Sequence, residues 1–158
     1  MDHNQARAAA REDLAALVGE VLGNLAFMVS DDEPAYLPPG AVWLRCEVSY
    51  RGAVGGTLTC WGTRDFAIQL AANLLGIEPD EGDARASAED ALREFMNVLC
   101  GQLVTAWYGS QAVANLSIPV VRADAEPPET PNDPGAAFCQ LSISGEPFYC
   151  LHRRSVAE

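Results

Sequence analysis

One amphipathic stretch, residues 87–110, constrains the fold of this chain more than any other segment. It reads SAEDALREFMNVLCGQLVTAWYGS. At the 100° of rotation per residue of an α-helix, its apolar residues gather on one side of the helix. These residues are Leu92, Phe95, Met96, Leu99, Leu103, Ala106 and Trp107. Such a pattern predicts a helix that buries one face against a core.

The opposite side of this helix carries an unusual polar stripe. Asp90, Glu94, Asn97 and Gly101 fall within a band roughly 60° wide. A merely solvated face more often holds acidic and basic residues at i,i+4 spacing, and here the one basic residue, Arg93, falls outside the band. Asn is a poor residue for a helix interior and has no local structural role here. We therefore predict that the stripe is functional.

Asp90 could instead have a structural role as part of a helix cap. Ser87 followed three residues later by Asp90 is typical of a capping box, in which the two side chains satisfy backbone N–H groups at a helix start.

The overall composition indicates one globular domain, residues 1–158. Apolar residues make up 49% of the chain and charged residues 20%. A formal net charge of -12 argues against nucleic acids and anionic membranes as partners, since both are bound largely by Lys and Arg. No apolar run is long enough to span a bilayer, and the polar N-terminus does not resemble a signal peptide. We expect a cytoplasmic protein.

The cysteines and histidines do not suggest a metal site or a disulfide framework. The cysteine count, 5, is odd, and no pair has CxxC spacing. Cys46, Cys60 and Cys100 stand among apolar neighbours, which favours reduced, buried thiols. His3 and His152 are far apart in sequence and belong to no ligand-spaced motif.

The order of elements predicts an α+β fold with a mainly antiparallel sheet and helices packed on one face. Hydrophobic periodicity and turn residues predict helices over 5–28, 63–75 and 87–110, strands over 42–50, 56–61, 116–122, 137–143 and 147–152, and acidic loops over 77–86 and 123–136. Because proline cannot donate to a ladder, Pro119 marks its strand as an edge or a bulge.

A weak internal repeat relates the two halves of the chain. LVGEVLGNLA in the first helix resembles REFMNVLCGQLV in the central helix. Glu20 aligns with Glu94, but Gly23 stands where the central helix has Asn97. We therefore expect the first helix to be functionally silent.

The spacing Asp90-x3-Glu94-x2-Asn97, followed by Pro119 after 21 intervening residues, resembles a known signature. It is similar to that of the CheC/CheX/FliY family of chemotaxis phosphatases, and most like a CheX-like domain with a single motif. Gly101 resembles the small residue that the family places one turn past its Asn. The proline is one residue closer than the family pattern has it, a difference that a loop can absorb.

The resemblance implies a CheC/CheX-like pseudo-repeat fold and a reaction, hydrolysis of the phosphoaspartate of a CheY-type response regulator. In the family, the Glu, here Glu94, pairs with a lysine of the regulator, and the Asn, here Asn97, positions the attacking water. Asp90, Gly101 and Pro119 would then contact the regulator. The Mg²⁺ of the reaction belongs to the phosphorylated regulator, so the resemblance implies no cofactor and no metal ligand in this chain.

The chemical properties of these side chains also suit the hydrolysis of a phosphoaspartate. Hydrolysis of an acyl phosphate by in-line attack of water needs positioning more than covalent help. An amide oxygen can accept a hydrogen bond from the water, and unlike a carboxylate it adds no negative charge near the phosphoryl group. Glu94 supplies a charge for a lysine of the partner, and Gly101 permits close approach of another backbone.

Two alternatives stay open at this point. The domain could be a non-catalytic CheX-like interaction module that binds a response regulator or another signalling protein. It could also be a homodimer, because CheX-like members with one motif resemble dimers and the chain has edge strands to offer. An unrelated small-molecule enzyme has little support, since no Gly-rich phosphate loop or nucleophile elbow is present.

Overall fold

A computed structural model describes residues 3–37, 39–123, 126–133 and 135–155. It contains four helices and seven strands within these ranges. They are α1 (His3–Ala26), β1 (Ser30–Asp31), β2 (Trp43–Gly52), β3 (Gly56–Thr63), α2 (Arg64–Leu75), α3 (Gly82–Ala86), α4 (Ala88–Tyr108), β4 (Ala114–Leu116), β5 (Val120–Ala123), β6 (Ala136–Ile143) and β7 (Glu146–Arg154).

All the strands belong to one antiparallel sheet of order β1-β6-β7-β3-β2-β4, and β5 also pairs with β2. The order is symmetric about the junction of β7 and β3. Each half contributes a helix, a short edge segment and a hairpin, and each edge segment pairs with the hairpin of the other half. The predicted α+β class is confirmed, and the weak sequence repeat has a structural counterpart that relates α1 to α4.

The strands alternate between a face under the helices and an outer face, as the period-2 pattern predicts. On β2, Leu44, Cys46, Val48 and Tyr50 are completely buried in the core shared with α1, α2 and α4. Their neighbours Arg45, Glu47 and Ser49 lie on the outer face and are partly exposed. The apolar area removed from water on the helix side is the main force that holds the helices on the sheet.

Four cysteines form a row across the buried face. Cys46 is the cross-strand neighbour of Cys60, Cys60 of Cys150, and Cys150 of Cys139. All five cysteines, including Cys100 of α4, are free and buried, which confirms the prediction of reduced core thiols. Burial raises the thiol pKa to about 12 for Cys46 and Cys139 and to about 11 for Cys100. Such thiols are poor nucleophiles because so little thiolate is present.

Helix α2 begins and ends where the sequence predicts. The Thr63 hydroxyl accepts a hydrogen bond of 3.0 Å from the backbone N–H of Phe66, which satisfies a free donor of the first turn. Gly76 ends the helix in the left-handed conformation, with φ 69°. The Thr63 cap starts α2 directly after β3, and Gly76 stops it after Leu75.

Two local predictions were wrong, and one strand was not predicted. The first helix ends at Ala26 rather than at residue 28, and Phe27 follows with a positive φ of 57°. Residues 77–86 are not entirely loop, because the single turn α3 forms where Ala84 is buried in the core. The short strand β1 pairs Ser30 with Ile143, a long-range contact that no local pattern announces.

Candidate functional site

Helix α4 is held by its apolar face. Leu92, Phe95, Met96, Leu99 and Leu103 are completely buried, and the helix contacts α1, α2 and β2. In this part of the helix the structure confirms the face predicted from periodicity.

The last turn of α4 departs from that prediction. Ala106 is exposed and Trp107 is only half-buried. There the centroid of the Trp107 ring lies 4.7 Å from that of the His152 ring, edge-on, and Tyr108 also packs against the core, so this turn is held by two aromatic residues rather than by a continuous apolar stripe.

The polar stripe faces outward. Asp90, Glu94 and Asn97 are exposed and Gly101 is half-buried. Glu94 and Asn97 are three residues apart, which places their Cβ atoms about 5–6 Å from each other on the helix surface. Within the described ranges, neither side chain has a hydrogen-bond or ion-pair partner. An accessible carboxylate and an accessible amide thus lie side by side on a rigidly packed helix.

Asp90 pairs with Arg93, the basic residue that lies outside the polar stripe. Its carboxylate accepts a hydrogen bond of 2.7 Å from the guanidinium of Arg93. Ser87 makes no side-chain hydrogen bond at the helix start, so the capping-box reading is wrong. The i,i+3 spacing of Asp90 and Arg93 was the available signal for this pair.

Gly101 opens a gap on the same side of the helix. A Cβ atom added there would meet nothing within 4 Å. The fold therefore does not require glycine at this position, although glycine costs a helix interior about 1 kcal/mol relative to alanine. The open surface at Gly101 is available to a partner molecule.

Pro119 lies in a break of the edge strand, as predicted. β4 and β5 pair with the same side of β2, and residues 117–119 separate them. Ser117 bridges the break: its N–H donates to the Ser49 carbonyl at 2.8 Å, and its hydroxyl accepts from the Ser49 N–H at 2.9 Å. Both short strands contact α4, so Pro119 belongs to the edge beside that helix.

The corresponding part of α1 does not repeat the arrangement. Glu20 and Asn24 are both exposed, but they are four residues apart rather than three. Gly23 stands between them at the position that Asn97 occupies in α4. The structural equivalent of the α4 stripe thus lacks the Glu-x2-Asn pair.

A buried polar chain ties the end of α4 to the sheet, and the sequence reasoning missed it. His152 Nε2 lies 2.7 Å from the Tyr50 hydroxyl, which lies 3.1 Å from the Tyr108 hydroxyl. Desolvation first, and the charge of Arg154 second, lower the pKa of His152 to about 4. The alternation of Phe148, Cys150 and His152 along β7 was the signal that this ring points into the core.

The described residues contain no group of three or more His, Cys, Asp and Glu side chains that could hold a metal ion. Among the described helices, none is both long and apolar enough to cross a membrane.

The sequence of this chain matches one known protein family. The sequence profile of the family described as "Chemotaxis phosphatase CheX" matches residues 45–140, more than half of the chain. Among curated protein sequences, none matches the chain closely.

Solved structures with the same fold include several chemotaxis proteins. CheX from Desulfovibrio desulfuricans is 17% identical, with a TM-score of 0.67 over 93% of this chain and 99% of that one. The CheX–CheY–BeF3–Mg²⁺ complex from Borrelia burgdorferi contains a chain that is 17% identical, with a TM-score of 0.64 over 92% of this chain and 97% of that one. FliY from Thermotoga maritima is 12% identical, with a TM-score of 0.53 over 90% and 89%. From the profile match, supported by the shared fold, this chain belongs to the CheX family of chemotaxis phosphatases.

Proposed function

We propose that this protein hydrolyses the phosphoaspartate of a CheY-type response regulator by laying the exposed face of α4 across the regulator's active site. The observation that carries the proposal is the pairing of Glu94 with Asn97. Both side chains are exposed and adjacent, and neither has a partner within the described chain. A CheX of the same fold has been crystallised with CheY, BeF3 and Mg²⁺, which supports a partner of this type.

In the proposed reaction, Asn97 positions the nucleophile. Its amide oxygen accepts a hydrogen bond from a water molecule and holds it in line with the scissile bond. The water oxygen attacks phosphorus, the bond from phosphorus to the aspartyl oxygen breaks, and inorganic phosphate and the free carboxylate result. Positioning of this kind suits phosphoryl transfer, in which the protein does little covalent chemistry.

Glu94 is proposed to dock the complex. Its carboxylate, one helical turn from the amide of Asn97, would pair with a lysine of the regulator. Gly101 and Pro119 would border the contact, because the gap at Gly101 admits another backbone and the edge at Pro119 has no N–H to satisfy. Asp90 keeps its bond to Arg93 and would lie at the margin. Mg²⁺ is expected on the regulator, and no residue of this chain is proposed to bind it.

The direct test is the decay of a phosphorylated CheY-type regulator with and without the protein. The parent chain should accelerate the decay. Asn97→Ala should remove most of the acceleration, because each lost ~1.4 kcal/mol of transition-state stabilisation is tenfold in rate. Its stability should hold or rise by up to about 0.7 kcal/mol, since the side chain is exposed and alanine is the better helix former.

Asn24→Ala is the matched control, because Asn24 is an exposed asparagine on the symmetry-related helix α1. It should leave the acceleration unchanged. If Asn97→Ala is as active as the parent, the positioning role is wrong. If the parent binds the phosphorylated regulator without accelerating its decay, the non-catalytic interaction module is the correct reading.

A further inference from the structure

The outer face of the sheet, opposite the helices, carries a concentration of aromatic and charged side chains. Trp43, Trp61, Phe138 and Leu151 form a separate buried cluster there, apart from the main core. Residues 126–133, EPPETPND, which we call the strap, border the same face. This acidic, proline-rich segment has no part in the function proposed for α4.

The strap and the outer face line one groove and share one ion pair. Pro128 and Pro131 border a groove of about 440 Å³ together with Trp61 and Leu151. At one end, the Asp133 carboxylate accepts a hydrogen bond of 3.4 Å from Arg153. Two prolines of the strap thus line the same groove as Trp61, and the acid Asp133 pairs with Arg153.

The other end of this face has more positive charge than the strap neutralises. Arg45 on β2 and Arg122 on β5 are direct cross-strand neighbours. Like charges directly opposite each other on a sheet are destabilising. Glu47 pairs with Arg45 at 2.7 Å, but within the described ranges Arg122 has no acidic partner.

Arg45 also has a hydrogen-bond donor without an acceptor among the described residues. Its Nε is buried and has no acceptor among the described residues, and its guanidinium lies 5.9 Å from the centre of the Trp61 ring. A buried donor without a partner costs roughly 1–3 kcal/mol.

A second groove shares Arg45 and Glu47 with the first. It has a volume of about 290 Å³ and is lined by Arg45, Glu47, Val120 and Arg122, with no strap residue among them. The strap thus borders the groove at the Trp61 end of the outer face, and no strap residue lines the groove at the Arg122 end.

We propose that the outer face binds an acidic, proline-containing extended segment of a partner protein, in competition with the strap. Carboxylates of the segment pair with Arg122, Arg45 and Arg153, and its prolines pack over Trp61. Arginine suits this role because its planar fork binds carboxylates through two parallel hydrogen bonds. Proline-rich segments suit it because they are extended before binding and lie well on aromatic grooves.

A protein segment fits this face better than a nucleic acid does. The segment that borders the groove, the strap, is itself acidic and proline-rich, and the net charge of -12 opposes a polyanion that extends beyond the groove. The outer face is on the opposite side of the sheet from α4, so the proposal does not depend on the phosphatase activity.

The experiment uses the full chain and a fluorescent peptide, EPPETPND, with binding measured by anisotropy. The parent should bind the peptide weakly because its own strap competes. Asp133→Asn weakens the strap's exposed ion pair and should tighten peptide binding about two- to fivefold. In the Asp133→Asn background, Arg122→Glu should weaken binding about fivefold or more, because the reversal removes one exposed ion pair and adds like-charge repulsion. Arg85→Glu, which reverses an exposed arginine on α3, is the matched control and should have no effect.

Several outcomes would overturn the proposal. One is no binding of the peptide to Asp133→Asn at millimolar concentration. Another is equal binding by Arg122→Glu and Arg85→Glu. A third is equal binding of a peptide in which Glu and Asp are replaced by Gln and Asn, and a fourth is tighter binding of a single-stranded oligonucleotide. Asn97→Ala should bind the peptide like the parent, so failure of the phosphatase reading leaves this result intact.

Discussion

The carboxylate of Asp90 accepts a hydrogen bond of 2.7 Å from Arg93, less than one turn along α4. The pair is exposed, and exposed pairs of this kind contribute about 0.3–0.5 kcal/mol to stability. Asp90→Ala should therefore change the free energy of unfolding by less than about 0.5 kcal/mol, because the better helix propensity of alanine offsets the lost pair. Urea denaturation measures this change. If Asp90→Ala lowered the free energy of unfolding by more than about 1 kcal/mol, Asp90 would act as a helix cap after all.

Glu94→Ala should weaken docking on the phosphorylated regulator about tenfold or more, because a hydrogen bond between charged groups contributes about 1.5–3 kcal/mol. At saturating protein the decay rate should fall much less. Glu20→Ala, at the equivalent exposed position of α1, should leave both quantities unchanged. Titration of the phosphorylated regulator, together with decay at saturation, separates the two effects. An equal loss with Glu20→Ala would reveal a second working site.

Gly101→Ala should stabilise the protein and impair its action on the regulator. The added Cβ meets nothing within 4 Å in this chain, so α4 gains about 1 kcal/mol of helix propensity. The same methyl group would occupy the gap proposed for the partner backbone. Gly19→Ala is the matched control, since a Cβ at Gly19 of α1 also meets nothing within 4 Å. It should stabilise without loss of activity, and equal activity of the two variants would remove Gly101 from the contact surface.

Acid should destabilise the fold through His152. Its pKa is lowered to about 4 in the folded protein, from an ordinary value of 6.5. The unfolded chain therefore binds the proton first, and the stabilisation present above pH 6.5 is lost as the pH falls from about 6.5 to 4. Between pH 7.5 and 5.0 this group should account for about 2 kcal/mol of lost stability. His152→Gln should show a smaller difference between urea midpoints at these two pH values, and an unchanged difference would contradict the assignment.

Local sequence patterns determined much of the helix side of the molecule. The periodicity of α4 predicted the burial of Phe95 and the exposure of Asn97, because a helix of fixed pitch projects its residues at fixed angles. Thr63 and Gly76 marked the ends of α2 through their own backbone chemistry. Pro119 predicted the broken edge strand because it lacks an N–H. In each case the physical cause lies within a few residues of its effect.

Tertiary structure decided what depends on register between distant strands. The cysteine row, the opposition of Arg45 and Arg122, and the contact of His152 with Tyr50 each join residues far apart in the chain. A shift of one residue in the pairing would turn each of these side chains to the other face of the sheet. The register is set by burial of the apolar face of all the strands together, a property that no single segment carries. The sequence alone determined which face of α4 is exposed, because helix pitch is a local property. Only the assembled sheet determined which side chains are neighbours on its outer face, because strand register is not.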